Sequence, residues 1–316
     1  MFTSILNQMI FLFAFIVIGY ILLKGKFIPE NSATVLSKLE NILFVPALVM
    51  GTFIDHCTPE TLKTAWRLLL FAVILIVILI VASLLCIKFC FKEEFLRKIG
   101  AYGLAFSNFG YMGNAIILAV FPEIFFEYLI FTLPLWFLAY GWGVPVLLIS
   151  STGGKQSLKD KIKSFANPMM IGMLIGMVIG LTGLKLPTAV SSVIDAAGSC
   201  MSPIAMLLTG ITVAKVNLLS LLTKWRIYLL GALKLVVYPL VYIFICFLLP
   251  QNAFFTTTVL ICGMSVTAMP TGLSNIIVPA GYGKDTTDAA GMALITHALS
   301  VITIPLMFML FEAVIL

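Results

Sequence analysis

Ser107-Asn108-Phe109-Gly110-Tyr111-Met112-Gly113-Asn114 lies within an apolar run in the first half of the chain. Met264-Ser265-Val266-Thr267-Ala268-Met269-Pro270-Thr271-Gly272-Leu273-Ser274-Asn275 lies within another in the second half. Each places Gly or Pro, with amide and hydroxyl side chains, in the middle of a hydrophobic segment. Proline removes a backbone donor and glycine lowers helix stability, so both segments are expected to unwind part-way along. At membrane depth, unwound backbone is tolerated only where it is buried in protein or lines a wet cavity. Such breaks aim half-helix N-termini, with their partial positive charge, at a common centre where an anion is favoured. Asn108, Gly110, Gly113, Asn114, Pro270, Thr271, Gly272 and Asn275 are therefore the candidate substrate-binding residues. The amides and the hydroxyl would offer uncharged hydrogen bonds, and the glycines and proline would make the breaks. The alternative is that these residues only permit close helix packing.

Working outward, hydrophobic residues are 61% of the 316 positions, charged residues 10%, and the mean hydropathy is +1.15. Soluble domains are nearer half apolar and a quarter charged, so lipid is the solvent for most of this chain. A spanning helix needs about 20 apolar residues. Ten runs qualify, at approximately 5–23, 34–54, 65–90, 97–119, 126–150, 168–184, 192–214, 225–249, 253–279 and 288–315. The first, Ile5 to Leu23, has neither a basic leader nor a small-residue cleavage site and ends at Lys24 and Lys26, so a retained helix is expected.

The basic residues test this segmentation, because cytoplasmic loops hold the excess of Lys and Arg. Odd-numbered loops and their edges carry fifteen, even-numbered loops carry three (Lys63, Arg67, Lys185), and Lys234 lies inside the eighth run, which accounts for all nineteen. Both termini are then extracytoplasmic, and a plasma membrane location is expected. The net charge of +6 is a topological signal, and no nucleic-acid partner is implied. The basic stretch Lys155 to Lys163 reads as a cytoplasmic linker beside anionic lipid headgroups, with a regulatory role as the alternative.

Five runs, a polar loop and five more runs suggest duplication. Gly19 and Gly176, Pro46 and Pro203, and Gly113 and Pro270 are each 157 apart; Pro29 and Pro187 are 158 apart, Pro145 and Pro305 160. With an odd number of spans in each half, the second copy must be inverted. The expected fold is an all-α integral membrane protein of ten transmembrane helices in two inverted five-helix repeats, 1–150 and 168–316, joined by a linker at 151–167, with helices 4 and 9 broken.

Outside the breaks, Asn41 is a further cavity candidate, and Lys234 is either a counter-ion for a carboxylate or a side chain that snorkels to the cytoplasmic face. Lys38 and Glu40, at the start of the second run, read as a solvated pair, with a coupling-ion site as the alternative. His297, with Thr296 and Ser300, reads as a hydrogen-bonded packing histidine rather than a proton relay. No adjacent aspartates occur in runs 4 or 5, so uncoupled transport stays open. Asp55-His56-Cys57 with Glu60 resembles a metal cluster only loosely, Gly153-Gly154-Lys155 lacks the rest of a phosphate loop, and the six cysteines show no paired spacing. No metal or cofactor is expected, and no nucleophile-base pair suggests an enzyme. Gly172, Gly176 and Gly180 form a helix-packing stripe, with a homodimer interface as an alternative use.

Several stretches together resemble the auxin efflux carrier family, in its bacterial branch. They are Ser107 to Asn114; Pro270 to Asn275 leading to Gly281-Tyr282-Gly283-Lys284-Asp285; Leu299-Ser300-Val301-Ile302-Thr303-Ile304-Pro305; Gly19-Tyr20; Pro46-Ala47-Leu48; and Lys234 to Pro239. The resemblance implies ten helices in inverted repeats, helices 4 and 9 crossing at the substrate site, and a scaffold moving against a transport domain. Members include plant auxin exporters and bacterial carriers proposed for malonate, malate and similar carboxylates. One departure stands out: the family often has Pro shortly after the helix 4 glycine, whereas here Gly113 precedes Asn114 and Ala115. The expected function is an alternating-access permease for a small organic anion; a sodium- or proton-coupled carrier and a solute-binding membrane sensor are the alternatives.

Overall fold

The computed structural model describes residues 2–149, 168–215, 224–249, 254–281, 283–284 and 286–316. The linker 151–167, with Gly153-Gly154-Lys155 and the basic stretch to Lys163, lies outside them. Among the described residues every named element is helical. In chain order they are α1 (Phe2–Lys24), α2 (Ser32–His56), α3 (Pro59–Cys90), α4 (Glu94–Ala105), α5 (Phe109–Val120), α6 (Pro122–Ile149), α7 (Pro168–Thr182), α8 (Thr188–Ala214), α9 (Trp225–Leu248), α10 (Thr257–Ala268), α11 (Ser274–Gly281) and α12 (Thr287–Ile315). Seven of these, α1, α2, α3, α6, α8, α9 and α12, are long and apolar enough to cross a membrane, and the chain is a multi-pass membrane protein. The expected fourth run is divided into α4 and α5, and the ninth into α10 and α11.

Proline shapes the long helices. Pro46 cannot donate to the preceding turn, and α2 widens into a π-turn over Glu40–Phe44 just before it. Pro239 follows a π-turn at Leu233–Val237 in α9, and Pro145 lies in the π-helical end of α6, Ala139–Ile149. The chain's two fully buried charged side chains among the described residues, Glu40 and Lys234, each 0% exposed, both sit on these π-turns. That overturns the solvated-pair reading of Glu40: the neighbouring Lys38 is exposed, but the wider turn carries Glu40 inward. It also overturns snorkelling for Lys234.

One layer pairs α1 with α8 and α2 with α7; the other gathers α3 to α6 with α9 to α12. The pairs are held by backbone approach at glycine. A Cβ on Gly176 would lie 2.5 Å from the Met50 carbonyl oxygen, and one on Gly19 2.3 Å from that of Leu207. Gly172 and Gly180 meet the Pro46 and Phe53 carbonyls in the same way, so the glycine stripe packs against α2 within the chain. On α3, Ile74, Val77, Ile78, Val81 and Leu85 are exposed at helical spacing, a stripe suited to lipid. Gly210→Val places its side chain against the Ile16 carbonyl, where even a Cβ would come within 1.9 Å. Overpacking of this kind costs about 1–3 kcal/mol. The thermal midpoint of the detergent-purified variant should fall accordingly; an unchanged midpoint would mean that α1 and α8 are not so closely apposed.

Candidate functional site

The two helix breaks meet. Between α4 and α5 the chain is non-helical at 106–108, and between α10 and α11 at 269–273. The Asn108 N–H donates to the Pro270 carbonyl at 2.7 Å, the Gly272 N–H donates to the Phe106 carbonyl at 3.4 Å, and Ser107 and Thr271 form a single antiparallel bridge. Pro270 has no N–H, so the break leaves no orphaned donor at that position, and its carbonyl is the group that pairs. Backbone groups freed by unwinding one helix are thus satisfied by the other.

One turn of α12 grips both breaks. Thr296 donates to the Met292 carbonyl at 2.7 Å, accepts the Thr271 N–H at 3.3 Å, and lies 3.1 Å from the Thr271 hydroxyl. His297 Nδ1 is 2.7 Å from the Ala293 carbonyl, which only accepts, so Nδ1 carries the proton. Nε2 is then an acceptor, and the Asn108 amide donates to it at 3.0 Å. The buried, hydrogen-bonded histidine expected from sequence is therefore a support of Asn108. Neither Thr296 nor His297 was among the substrate-binding candidates; their clue is the adjacent polar pair, with Ser300 one turn on, in an otherwise apolar helix.

Beside this knot, buried polar atoms lack partners. Asn275 is 0% exposed and, among the described residues, neither amide atom has one; nor do Asn114 Oδ1 and Ser107 Oγ. Gly103 on α4 leaves room for Asn275, whose Nδ2 would be 2.9 Å from a Cβ there. Unpaired buried amides are costly, and a ligand that pairs them recovers that cost.

A cavity of about 210 Å³ abuts the α5 side of the crossing, lined by Asn41, Val45, Gly110, Tyr111, Trp136, Tyr140, Pro168 and Met169. Trp136 and Tyr140 stack with ring centroids 5.5 Å apart and planes 6° from parallel. The Tyr111 hydroxyl donates to Asn41 Oδ1 at 3.3 Å, and the Asn41 amide donates to the Ser37 carbonyl at 2.7 Å. Gly110 gives way to the Trp136 ring, 2.3 Å from a Cβ there, and Gly113 to the Tyr128 hydroxyl, 2.1 Å away.

Of the sequence candidates, Asn41 and Gly110 line this cavity; Asn108, Pro270, Thr271 and Gly272 form the crossing; Asn114 and Asn275 flank it. Lys234 stands apart. Its ammonium donates to the Leu104 carbonyl at 3.0 Å and lies 5.7 Å from the centre of the Tyr238 ring. A cation on one of the last carbonyls of α4 stabilises the negative end of that helix where it breaks. Asp55 and His56 line a separate cavity of about 330 Å³ with Asp195, and among the described residues no three such side chains converge as metal ligands.

No curated protein gives a significant match to the chain. The sequence model of a family described as membrane transport protein matches residues 4–308. With that match spanning nearly the whole chain, the protein belongs to the auxin efflux carrier family of membrane transporters.

Proposed function

We propose that the chain carries a small organic anion, such as a carboxylate, across the plasma membrane by alternating access, binding it where the two broken helices cross. The observation that carries the reading is the Ser107–Thr271 crossing with the unpaired amide of Asn275 and the unpaired Oδ1 of Asn114 beside it. The N-termini of α5 and α11 begin at the breaks, which favours negative charge there. The stacked Trp136 and Tyr140 suit an apolar body attached to that charge.

Ten spans in two inverted repeats, 1–150 and 168–316 about the linker 151–167, accord with the layer contacts. Gly19 meets Leu207 and Gly176 meets Met50, and each residue of the first contact is 157 positions from its counterpart in the second. The layer of α1, α2, α7 and α8 would be the scaffold and the other the moving domain, with both termini extracytoplasmic.

Asn275→Ala tests the site with little confusion from folding, because the amide it removes holds nothing. In proteoliposomes, saturable counterflow of labelled malonate, malate or indole acetate should fall about tenfold, the factor expected for about 1.4 kcal/mol of lost binding. Unaltered flux would move the solute away from the crossing, and absence of flux for every carboxylate in the wild type would sink the organic-anion reading.

A further inference from the structure

Lys234 is satisfied by a carbonyl and an aromatic ring; the other charged side chain buried on a π-turn is not satisfied. Glu40 has no exposed surface, and among the described residues neither carboxylate oxygen has a hydrogen-bond partner. An ionised carboxylate withdrawn from water with no counter-charge is strongly disfavoured, and an ionisable residue inside a membrane domain marks an ion or proton path. The group must be neutralised in the conformation shown, and its surroundings decide by what. The π-turn bearing Glu40 packs against α7 and α8. From Pro168 to Thr182, α7 carries one side-chain oxygen, on Thr182 at its far end, already bonded to Val178 and Ile179. In the centre and last two turns of α8, Ser199, Thr209 and Thr212 are bonded to their own helix, which leaves Ser202 Oγ as a buried hydroxyl without a partner among the described residues. A metal cation would need several oxygen ligands, whereas a proton needs none beyond the carboxylate itself.

The titratable neighbours do not compete for the role. α7 has none, and α8 offers Asp195, at the opposite end of α2 beside Gly51, and Cys200, whose thiol is bonded to the Ala196 carbonyl. On α2 itself Lys38 is exposed, while Asp55 and His56 lie at the far end. Tyr111 is within electrostatic reach of Glu40 and also bonds Asn41, the next residue along and part of the cavity wall, where Tyr140 is the other titratable group. The carboxyl thus belongs to the residue next to Asn41 of the cavity wall and lies within electrostatic reach of a second wall residue, Tyr111.

We propose that Glu40 is the proton-coupling carboxylate of this carrier: it holds a proton while buried between α2, α7 and α8 and releases it when α2 is exposed to water, so that solute and proton movements are linked. The inference rests on the carrier reading. No bond other than O–H forms or breaks, and the proton is exchanged with the aqueous phases.

The test compares wild type, Glu40→Gln and Glu40→Asp in proteoliposomes with labelled malonate, malate and indole acetate, at clamped voltage. Two readouts are taken: counterflow at equal pH, and accumulation driven by a pH or a sodium gradient. Expected are proton-driven accumulation in the wild type, its loss by about tenfold in Glu40→Gln with counterflow retained, and partial return in Glu40→Asp. A role in folding alone would lower both readouts together and overturn the proposal. Counterflow in the wild type without response to pH, or accumulation driven by sodium alone, sinks the coupling inference and leaves the carrier reading standing; no counterflow of any probe sinks both.

Discussion

Asn108→Ala should reduce carrier-mediated counterflow by about 10- to 100-fold while the protein still purifies as a single species. The backbone of residue 108 keeps its bond to Pro270, so the crossing itself survives the substitution. What is lost is the amide, and with it the partner of His297 Nε2, which is left as a buried unpaired acceptor. Orphaning such a group costs about 1–3 kcal/mol, and each 1.4 kcal/mol is a factor of ten in an equilibrium constant. His297→Ala should give a loss of similar size by releasing the amide from its fixed orientation. Because the two residues share one hydrogen bond, the double variant should fall well short of the product of the single effects. In His297→Gln a side-chain carbonyl can accept from Asn108 as Nε2 does, so that variant should recover part of the flux. Independent, multiplicative losses would show that Asn108 and His297 act separately, and wild-type flux in Asn108→Ala would remove Asn108 from the solute path.

How much of this arrangement can be read from the chain follows from what one-dimensional spacing encodes. The two breaks are legible because Gly113, Pro270 and the amides around them have no reason to interrupt apolar runs unless the helix opens. What holds the breaks is not legible: Thr296 and His297 are 25 and 189 residues from the groups they bond, and nothing in the spacing of α12 names those partners. Glu40 misleads for a local reason. It follows an exposed lysine at the edge of a run, and only the π-turn imposed before Pro46 changes the face it presents. Lys234 shows the opposite limit: its depth is plain from the surrounding apolar residues, but its bond to Leu104 across 130 residues is not. The glycine stripe specifies a close approach without saying to what, and α2 of the same chain is the answer.

Gly113→Ala is the second large expected effect, and it bears on how α5 stays broken from α4 without the proline common in the family at this point. The Tyr128 hydroxyl passes over Gly113 to donate to the Phe109 carbonyl at 2.9 Å, tying α6 to the first turn of α5. That carbonyl also accepts from the Asn114 N–H in the π-turn, so it is bonded from both the helix and its neighbour. A Cβ on residue 113 would stand 2.1 Å from the hydroxyl oxygen, and Tyr128 is fully buried, so the ring has little room to retreat. Overpacking typically costs about 1–3 kcal/mol. The variant should unfold at lower temperature and carry solute more slowly, since displacing Tyr128 also unseats the turn that presents Gly110 and Tyr111 to the cavity. Tyr128→Phe alone forfeits one hydrogen bond, about 0.5–1.5 kcal/mol, and removes the atom in the way. Gly113→Ala should therefore cost clearly less in the Tyr128→Phe background than in the wild type, a coupling measurable from the four thermal midpoints. Equal cost in both backgrounds would mean that the hydroxyl is not what residue 113 makes room for, and the opening of α5 would then have to come from the bond between Asn108 and Pro270.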